Sequence, residues 1–201
     1  MNLNLVRLDQ RIIYDIIAPG SKVLDLGCGD GQLMSILEKG KNAKVQGIEL
    51  NEDAIYKCVE RGLSVFHSDI DSGLTEYPAD AFDYVILNQS MQQVKKIEFV
   101  IQEALRVGKN VIVGFPNFAY VTARFMLFFQ GISPMTASLP YRWFDTPNLR
   151  FLSISDFKDY CSRKGFKILK AYYLGNKSLV KIWPNLFALN SIFVITKDRI
   201  S

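Results

Sequence analysis

Apolar and polar positions along the chain follow two alternating patterns from residue 22 to residue 114. Short, nearly continuous apolar runs predict β-strands at residues 22–26, 44–50, 64–67, 82–88 and 110–115. Between them, apolar residues recur at helical spacing, which predicts helices at residues 32–39, 52–61 and 97–106. Buried strands that alternate with helices are typical of a parallel sheet covered by helices on both faces.

This pattern breaks over residues 116–152, which contain four of the seven prolines and are predicted to form an inserted helix and a long ordered loop. Regular signals return at Ser153 and Asp156, which predict a capping box for a helix that ends at Gly165. Two closing strands are predicted at residues 166–173 and 191–196. The sequence therefore predicts one α/β domain over residues 1–201, with a mostly parallel, twisted sheet of about seven strands.

Charge and composition narrow the classes of partner. The net charge is +4 and no run of five or more Lys or Arg residues occurs, so we expect no nucleic-acid interface. The N-terminal sequence has no cationic region followed by an apolar core, and we expect no signal peptide. The most apolar later stretch, residues 118–129, contains Arg124 and is too short to cross a bilayer. Three widely spaced cysteines fit neither a disulfide framework nor a metal site, which indicates reduced thiols in the cytoplasm.

The stretch VLDLGCGDG, residues 23–31, joins the first predicted strand to the first predicted helix. Its glycines let a ligand approach the bare backbone, and the helix that follows offers free N–H groups at its N-terminus. Dinucleotide-binding proteins use G-x-G-x-x-G at this place, but that spacing would require a glycine where Gln32 stands. The spacing here is D-x-G-x-G-x-G, formed by Asp25, Gly27, Gly29 and Gly31.

That turn resembles the first motif of class I methyltransferases that use S-adenosylmethionine. The resemblance implies a Rossmann-like fold and gives roles to residues at successive strand ends. Asp25 would support the glycine turn and the ammonium group of the ligand. Glu49 would bind both ribose hydroxyls, because two carboxylate oxygens match a vicinal diol. Asn88 would hold the methionine part of the ligand.

The adenine end of the ligand would bind beside the end of the third predicted strand. Asp69 would contact the adenine amino group, and Ile70 would lie beside the ring. The complete predicted cofactor site consists of Asp25, Gly27, Cys28, Gly29, Gly31, Glu49, Leu50, Asp69, Ile70, Asn88 and Gln89. Taken singly, Asp25 would also fit a simple turn residue, and Glu49 a solvated charge. Together, at the carboxyl ends of adjacent strands, these residues indicate a ligand site.

The chain offers no evident general acid or base. His67, the single histidine, ends a predicted strand beside the expected adenine pocket, away from a reacting methyl group. Gln89, Gln92 and Gln93 can orient a ligand, but amides do not transfer protons. Methyl transfer can run on proximity alone, because the cofactor is already activated. We assign no catalytic residue, and the sequence leaves open whether the chain is an enzyme.

Four stretches, VLDLGCGDG, LNQSMQQV, VGFPNF and LPYRWFDTPNLRFLSISDF, resemble the methionine biosynthesis protein family called MetW. The resemblance implies a domain that binds S-adenosylmethionine or S-adenosylhomocysteine. It also implies an accessory or regulatory role beside homoserine O-acyltransferase, the enzyme that acylates homoserine on the way to methionine. Two alternatives stay open: a small-molecule methyltransferase with the insertion as its acceptor lid, and a domain that kept the fold but lost the ligand.

The insertion at residues 116–152 supplies the candidate partner surface. It contains Tyr141, Arg142, Trp143 and Phe144, which are residue types that dominate interface hot spots. Apolar residues at positions 118, 121, 125, 128 and 129 form a helical stripe that fits either core and lid packing or a surface that needs a cover. Burial of Trp143 and Phe144 under a lid is the alternative to the partner surface.

Overall fold

A computed structural model describes residues 6–197 of the chain. The described strands are β1 (Lys22–Leu26), β2 (Lys44–Glu49), β3 (Ser64–His67), β4 (Phe82–Asn88), β5 (Gly108–Pro116), β6 (Phe166–Leu174) and β7 (Asn190–Lys197). The described α-helices are α1 (Leu8–Ile16), α2 (Gln32–Lys41), α3 (Glu52–Glu60), α4 (Ile97–Val107), α5 (Val121–Phe125), α6 (Ile154–Lys164) and α7 (Pro184–Phe187). Short 3₁₀ turns lie at Ile70–Ser72 and Met91–Gln93, and a π-helical turn at Met126–Gln130 continues α5.

All seven strands form one sheet in the order β3-β2-β1-β4-β5-β7-β6. The first five strands in chain order pair in parallel, and β7 runs antiparallel to both β5 and β6. The predicted Rossmann-like methyltransferase fold is therefore confirmed. From β1 the chain builds outward to β3 and then returns to β4 on the other side. In such sheets, ligands bind at this reversal, outside the carboxyl ends of the strands.

Alternating strand residues feed two hydrophobic cores, one on each face of the sheet. Leu24 and Leu26 of β1 enter the core that α4 and α6 cover, whereas Val23 enters the core formed with α1 and α2. In β4, Val85 enters the first of these cores and Ile86 the second. Because side chains of a strand point to opposite faces in turn, a sheet covered on both faces needs apolar residues at nearly every position.

Side-chain caps and a C-terminal glycine mark the ends of α3 and α6. The Asn51 side chain caps α3 by accepting a hydrogen bond from the Ala54 N–H at 2.9 Å. The predicted capping box is present: Ser153 Oγ accepts from the Asp156 N–H, and Asp156 Oδ2 accepts from the Ser153 N–H. The helix then ends at Gly165, as predicted, with a left-handed φ of 69°.

Besides the short helix α7, which was not predicted, two parts of the fold differ from the sequence-based expectation. Helix α1 was not predicted, although Leu8, Ile12, Ile13 and Ile16 recur at helical spacing; this helix packs on α2 and the sheet. The second difference is in the insertion. Core packing of the stripe at residues 118–129 is wrong, because Ala123 is the buried residue of α5 and the π-helical turn buries none.

Candidate functional site

The glycine turn between β1 and α2 is held in place by the main chain of β2. The N–H groups of Gly27 and Cys28 both donate to the Ile48 carbonyl oxygen, at 2.8 and 3.2 Å. Gly27, Gly29 and Gly31 all have positive φ angles, of 75°, 55° and 74°. Gly29 differs from the other two, because an added Cβ there would meet no protein atom within 4 Å. The turn therefore presents bare backbone to open space at Gly29.

The Glu49 carboxylate braces this turn from the end of β2. Its Oε2 accepts a hydrogen bond from the Gly29 N–H at 2.8 Å. Its Oε1 accepts from the N–H groups of Leu50 and Asn51, each at 2.9 Å. Each carboxylate oxygen can accept more than one hydrogen bond, so Glu49 retains capacity for a ligand hydroxyl while it fixes the turn.

A cavity of about 380 Å³, here called the first cavity, opens beside the turn at the carboxyl ends of the strands. Seven residues of the predicted cofactor site line it: Gly27, Gly29, Glu49, Leu50, Asp69, Ile70 and Gln89. The structure thus brings together groups from the ends of β1, β2, β3 and β4. A cavity of this size suits a small organic ligand.

Four predicted cofactor residues do not line the first cavity. Asp25 is buried within the sheet, and its burial, reinforced by the nearby Glu49 charge, raises the pKa of its carboxyl to about 7. Cys28 is buried, and burial raises the pKa of its thiol, which makes it unreactive. Gly31 provides room for packing, since an added Cβ would lie 2.5 Å from Leu63.

The fourth is Asn88, which is engaged by a residue that the sequence analysis missed. Its Nδ2 donates to Asp9 Oδ2 at 2.9 Å, and Asp9 also accepts from the Arg7 guanidinium. Although burial alone would raise the pKa of Asp9, the hydrogen bonds from Arg7 and Asn88 hold that pKa below its usual value. Gly114 leaves space for Asn88, because an added Cβ would overlap Asn88 Oδ1.

Further residues that the sequence analysis missed lie near Asp69 in the lining of the first cavity. Asp69 Oδ1 accepts from the Asp71 N–H at 2.9 Å and caps the following 3₁₀ turn. Asp71 in turn accepts from the main-chain N–H groups of Lys95 and Lys96. Asp71 and Lys95 both line the cavity. Their signal in the sequence was weak, because the segment 89–96 contacts residue 71 only through the tertiary fold.

A second cavity, of about 590 Å³, adjoins the first and shares Gln89 and Gln93 with it. Its walls come from the start of α1, the segment after β4, the insertion, the end of β6 and the start of β7. The lining residues are Arg7, Leu8, Asp9, Gln89, Gln92, Gln93, Ala137, Ser138, Pro140, Tyr141, Asn148, Leu174, Gly175, Asn176, Leu189 and Asn190.

The carboxylates that line the two cavities all accept hydrogen bonds from the chain itself: Asp9, Glu49, Asp69 and Asp71. His67 ends β3 on an exposed position and lines neither cavity, as the strand-end interpretation predicts. Within residues 6–197, no group of three or more His, Cys, Asp or Glu residues could hold a metal ion. The same residues contain no helix with the length and hydropathy needed to cross a membrane. The arrangement can bind and orient a ligand through these carboxylates and the neighbouring amides.

The insertion exposes the aromatic residues that were predicted to contact a partner. Trp143 and Phe144 are 76% and 63% exposed and pack edge to face against each other. Tyr141 and Arg142 are exposed as well, with the Arg142 guanidinium 5.9 Å from the centre of the Phe144 ring. Burial of Trp143 and Phe144 under a lid is therefore wrong for this chain.

Both a family model and a relative in sequence are similar to most of this chain. A family model described as "Methionine biosynthesis protein MetW" matches residues 7–195. A protein of Rhodopirellula baltica, named "Bifunctional methionine biosynthesis protein MetXA/MetW", is 36% identical over 163 residues. That similarity covers 77% of this chain and 26% of the bifunctional protein, so the chain spans about a quarter of its relative's length.

Solved structures match the fold over nearly the full chain. A methyltransferase of Archaeoglobus fulgidus that depends on S-adenosylmethionine superposes with a TM-score of 0.68 at 18% identity, covering 97% of this chain and 93% of the other. A methyltransferase of the same cofactor class from Thermotoga maritima gives a TM-score of 0.67 at 18% identity, covering 95% and 88%. At this identity the match establishes the architecture, and the reaction has to be argued from the residues.

Proposed function

This chain belongs to the MetW family of methionine biosynthesis proteins, and from that premise we propose that it binds S-adenosylmethionine or S-adenosylhomocysteine and acts as an accessory subunit of a homoserine O-acyltransferase. The observation that most directly supports ligand binding is the first cavity. It places the bare backbone of Gly29, the Glu49 carboxylate and the Asp69 carboxylate around one space.

Each of these groups has a part of the ligand to bind. The chain that links the ribose to the amino acid lies in the space beside Gly29, which is open because glycine has no side chain to fill it. Glu49 accepts from the ribose hydroxyls and Asp69 from the adenine amino group, while Ile70 packs against the base. Asp25, buried behind the turn, supports the turn and the ligand ammonium.

The accessory role is supported by two features. The similar protein from Rhodopirellula baltica carries a joint MetXA/MetW name, which places the two functions on one chain. The present chain exposes Tyr141, Arg142, Trp143 and Phe144 on the insertion, where a partner would cover them. All three cysteines, Cys28, Cys58 and Cys161, are free, in keeping with a role in the cytoplasm.

Co-purification with homoserine O-acyltransferase tests the partner. Trp143→Ala and Phe144→Ala should each weaken capture of the acyltransferase at least about tenfold, the scale of one interface hot spot. Tyr56→Ala is the matched control, since Tyr56 is 65% exposed on α3, outside the insertion. Capture that is unchanged in both insertion variants, or lost equally in the control, would remove residues 141–144 from the interface.

One observation favours a small-molecule methyltransferase as the second candidate. The two cavities meet at Gln89 and Gln93, so a ligand in the first could present a methyl group to a molecule in the second. No histidine lines either cavity, and the carboxylates that line them already accept hydrogen bonds within the fold, so we expect no turnover by the isolated chain. Incubation with methyl-labelled S-adenosylmethionine and homoserine-pathway metabolites measures this, and clear product formation would make the second candidate the better one.

A further inference from the structure

The insertion carries a second exposed apolar surface, apart from residues 141–144. Helix α5 buries Ala123 alone, and the π-helical turn that continues it buries no residue. Phe125, Phe128 and Phe129 of this segment are 52%, 82% and 70% exposed, and their rings pack on one another. More than half of each of these large apolar side chains is therefore in solvent.

The loop between β6 and β7 adds to this surface. Trp183, at the start of α7, is 70% exposed, and Ile182 before it is 74% exposed. Trp183 has a φ of 45°, a left-handed conformation that is rare for a bulky residue and that occurs mostly at functional sites. Arg124 of α5 and Trp183 line one pocket of about 280 Å³, so the two segments are neighbours. Together they form a surface here called the aromatic face, which consists of Phe125, Phe128, Phe129, Ile182 and Trp183.

The charges beside the aromatic face are positive. Arg124 and Lys158 line the pocket next to the indole, and Lys181 lies two residues before it in the chain. All three cations are exposed, and no carboxylate lines that pocket. The acidic residues at the start of α6 are already engaged, Asp156 in the capping box and Asp159 in an ion pair within the helix. Because like charges repel across an interface, this arrangement favours an acidic partner over a second copy of the chain.

The size of a stable interface supplies a second argument. Such an interface buries about 800 Å² on each partner and includes roughly 20–30 residues a side. Residues 141–144 cannot supply that area, since one aromatic side chain buries at most about 150–250 Å² and these are already partly covered. A partner bound at residues 141–144 needs further contact surface. The aromatic face lies largely in the same insertion and offers the residue types found in interface hot spots.

We propose that the aromatic face is a second contact for homoserine O-acyltransferase, and that it binds an acidic surface of that enzyme with apolar side chains at its centre. The identity of the partner rests on the proposed function. Phe128 and Trp183 lie at the centre of the contact, where aromatic side chains contribute most to affinity. The three cations lie at its rim and face carboxylates of the partner, where they speed association and fix orientation.

Binding of the purified chain to purified homoserine O-acyltransferase, measured by biolayer interferometry at low and high salt, tests this proposal. Phe128→Ser and Trp183→Ser change the centre, and Lys181→Glu changes the rim. Tyr56→Ser and Lys44→Glu are the matched controls. Tyr56 is 65% exposed on α3 and Lys44 is exposed at the start of β2, so both lie outside the insertion and the α7 loop. Thermal melting verifies that each variant folds.

Phe128→Ser and Trp183→Ser should each weaken binding about tenfold or more, because each removes an aromatic residue from the centre of the contact. Lys181→Glu should weaken binding about threefold to tenfold at low salt and reduce its dependence on salt, because an exposed charge acts mainly through screened attraction. Both controls should bind as the wild-type chain does.

The inference is overturned if neither Phe128→Ser nor Trp183→Ser weakens binding more than Tyr56→Ser does. An effect of Lys181→Glu no larger than that of Lys44→Glu would overturn the acidic character of the contact. If the wild-type chain does not bind the acyltransferase, the proposed function fails and this inference fails with it. If it binds and Trp143→Ala alone weakens binding, the inference fails and the proposed function stands.

Two further measurements identify the other possible occupants of the aromatic face. Sedimentation reports a second copy of the chain, and flotation with vesicles of equal parts phosphatidylcholine and phosphatidylglycerol reports an anionic membrane surface. A wild-type dimer that Phe128→Ser separates, with acyltransferase binding unchanged, would assign the face to a second copy instead. Vesicle binding that Phe128→Ser abolishes, again with acyltransferase binding unchanged, would assign it to a membrane surface.

Discussion

Around the first cavity, the polar groups of the turn bind one another, whereas the insertion leaves its aromatic side chains in solvent. Glu49 fixes the N–H groups of Gly29, Leu50 and Asn51, so the backbone that faces the cavity is held before any ligand arrives. In the insertion, Phe128 and Trp143 are 82% and 76% exposed. Large exposed apolar patches are rare on monomeric soluble proteins.

The proposed ligand site and the proposed partner surface should therefore respond to mutation differently. A preorganised cavity loses binding when its backbone or its bracing carboxylate changes, because the ligand then has to reorder the turn. An exposed aromatic surface can lose a residue at little cost to the fold, because most of each side chain is in solvent.

Gly29→Val should abolish binding of S-adenosylhomocysteine, a loss of at least about a hundredfold, because the new side chain would fill the space beside the turn. Gly62→Val is the matched control. Gly62 also has a positive φ, of 72°, and open space around its Cβ position, but it lies outside the first cavity. Calorimetry measures both. Equal losses in the two variants would mean that backbone strain, and not the occupied space, explains the result.

Glu49→Ala should weaken the same ligand by about 2–4 kcal/mol, because the ligand loses charge-assisted hydrogen bonds and the turn loses its brace. Glu49→Gln should lose less, since it keeps one oxygen acceptor. Glu52→Ala, a change of an exposed carboxylate in the first turn of α3, serves as the control. Wild-type affinity in Glu49→Ala would remove this residue from the site.

Asp25→Asn should change how stability depends on pH. Burial and the Glu49 charge raise the pKa of Asp25 to about 7 in the folded chain, against about 4 in an unfolded one. Between these values the folded state keeps a proton that the unfolded state releases, so the free energy of unfolding falls as the pH rises from about 4 to 7. The Asn variant lacks this decline, a difference on the order of 2 kcal/mol that urea denaturation at pH 5 and pH 8 measures. Identical pH profiles of the variant and the wild-type chain would contradict the raised pKa of Asp25.

Trp143→Ala should leave the free energy of unfolding within about 0.5 kcal/mol of the wild-type value, because the indole is mostly in solvent. Phe115→Ala gives the contrast. Phe115 is fully buried against Phe157 and Phe193, so its truncation should cost about 3–5 kcal/mol. Denaturant titrations compare the two variants, and a loss in Trp143→Ala as large as that in Phe115→Ala would mean that the insertion packs onto the core.

The sequence predicts the sheet well because buried parallel strands leave a local signal. The strands Lys22–Leu26 and Phe82–Asn88 have the predicted bounds, and so does the end of α6 at Gly165. The turn and its acidic neighbours were likewise readable, because their spacing follows the strand ends. Seven of the predicted cofactor residues line one cavity, and their contact with a ligand stays a prediction.

Other parts of the site could not be predicted from local pattern. The hydrogen bond from Asn88 to Asp9 spans 79 residues, and nothing near either residue indicates it. Exposure of Trp143 and Phe144 was equally hidden, because large aromatic residues occur both in cores and at interfaces. Long-range contacts and the exposure of an inserted segment depend on the whole fold, and only the structure supplies them.

Titration of the wild-type chain with S-adenosylhomocysteine measures whether the first cavity binds an adenosyl ligand. We expect saturable heat at one site per chain, with a dissociation constant in the micromolar range, and a rise in melting temperature at ligand excess. Absence of both heat and thermal shift at millimolar ligand would contradict it.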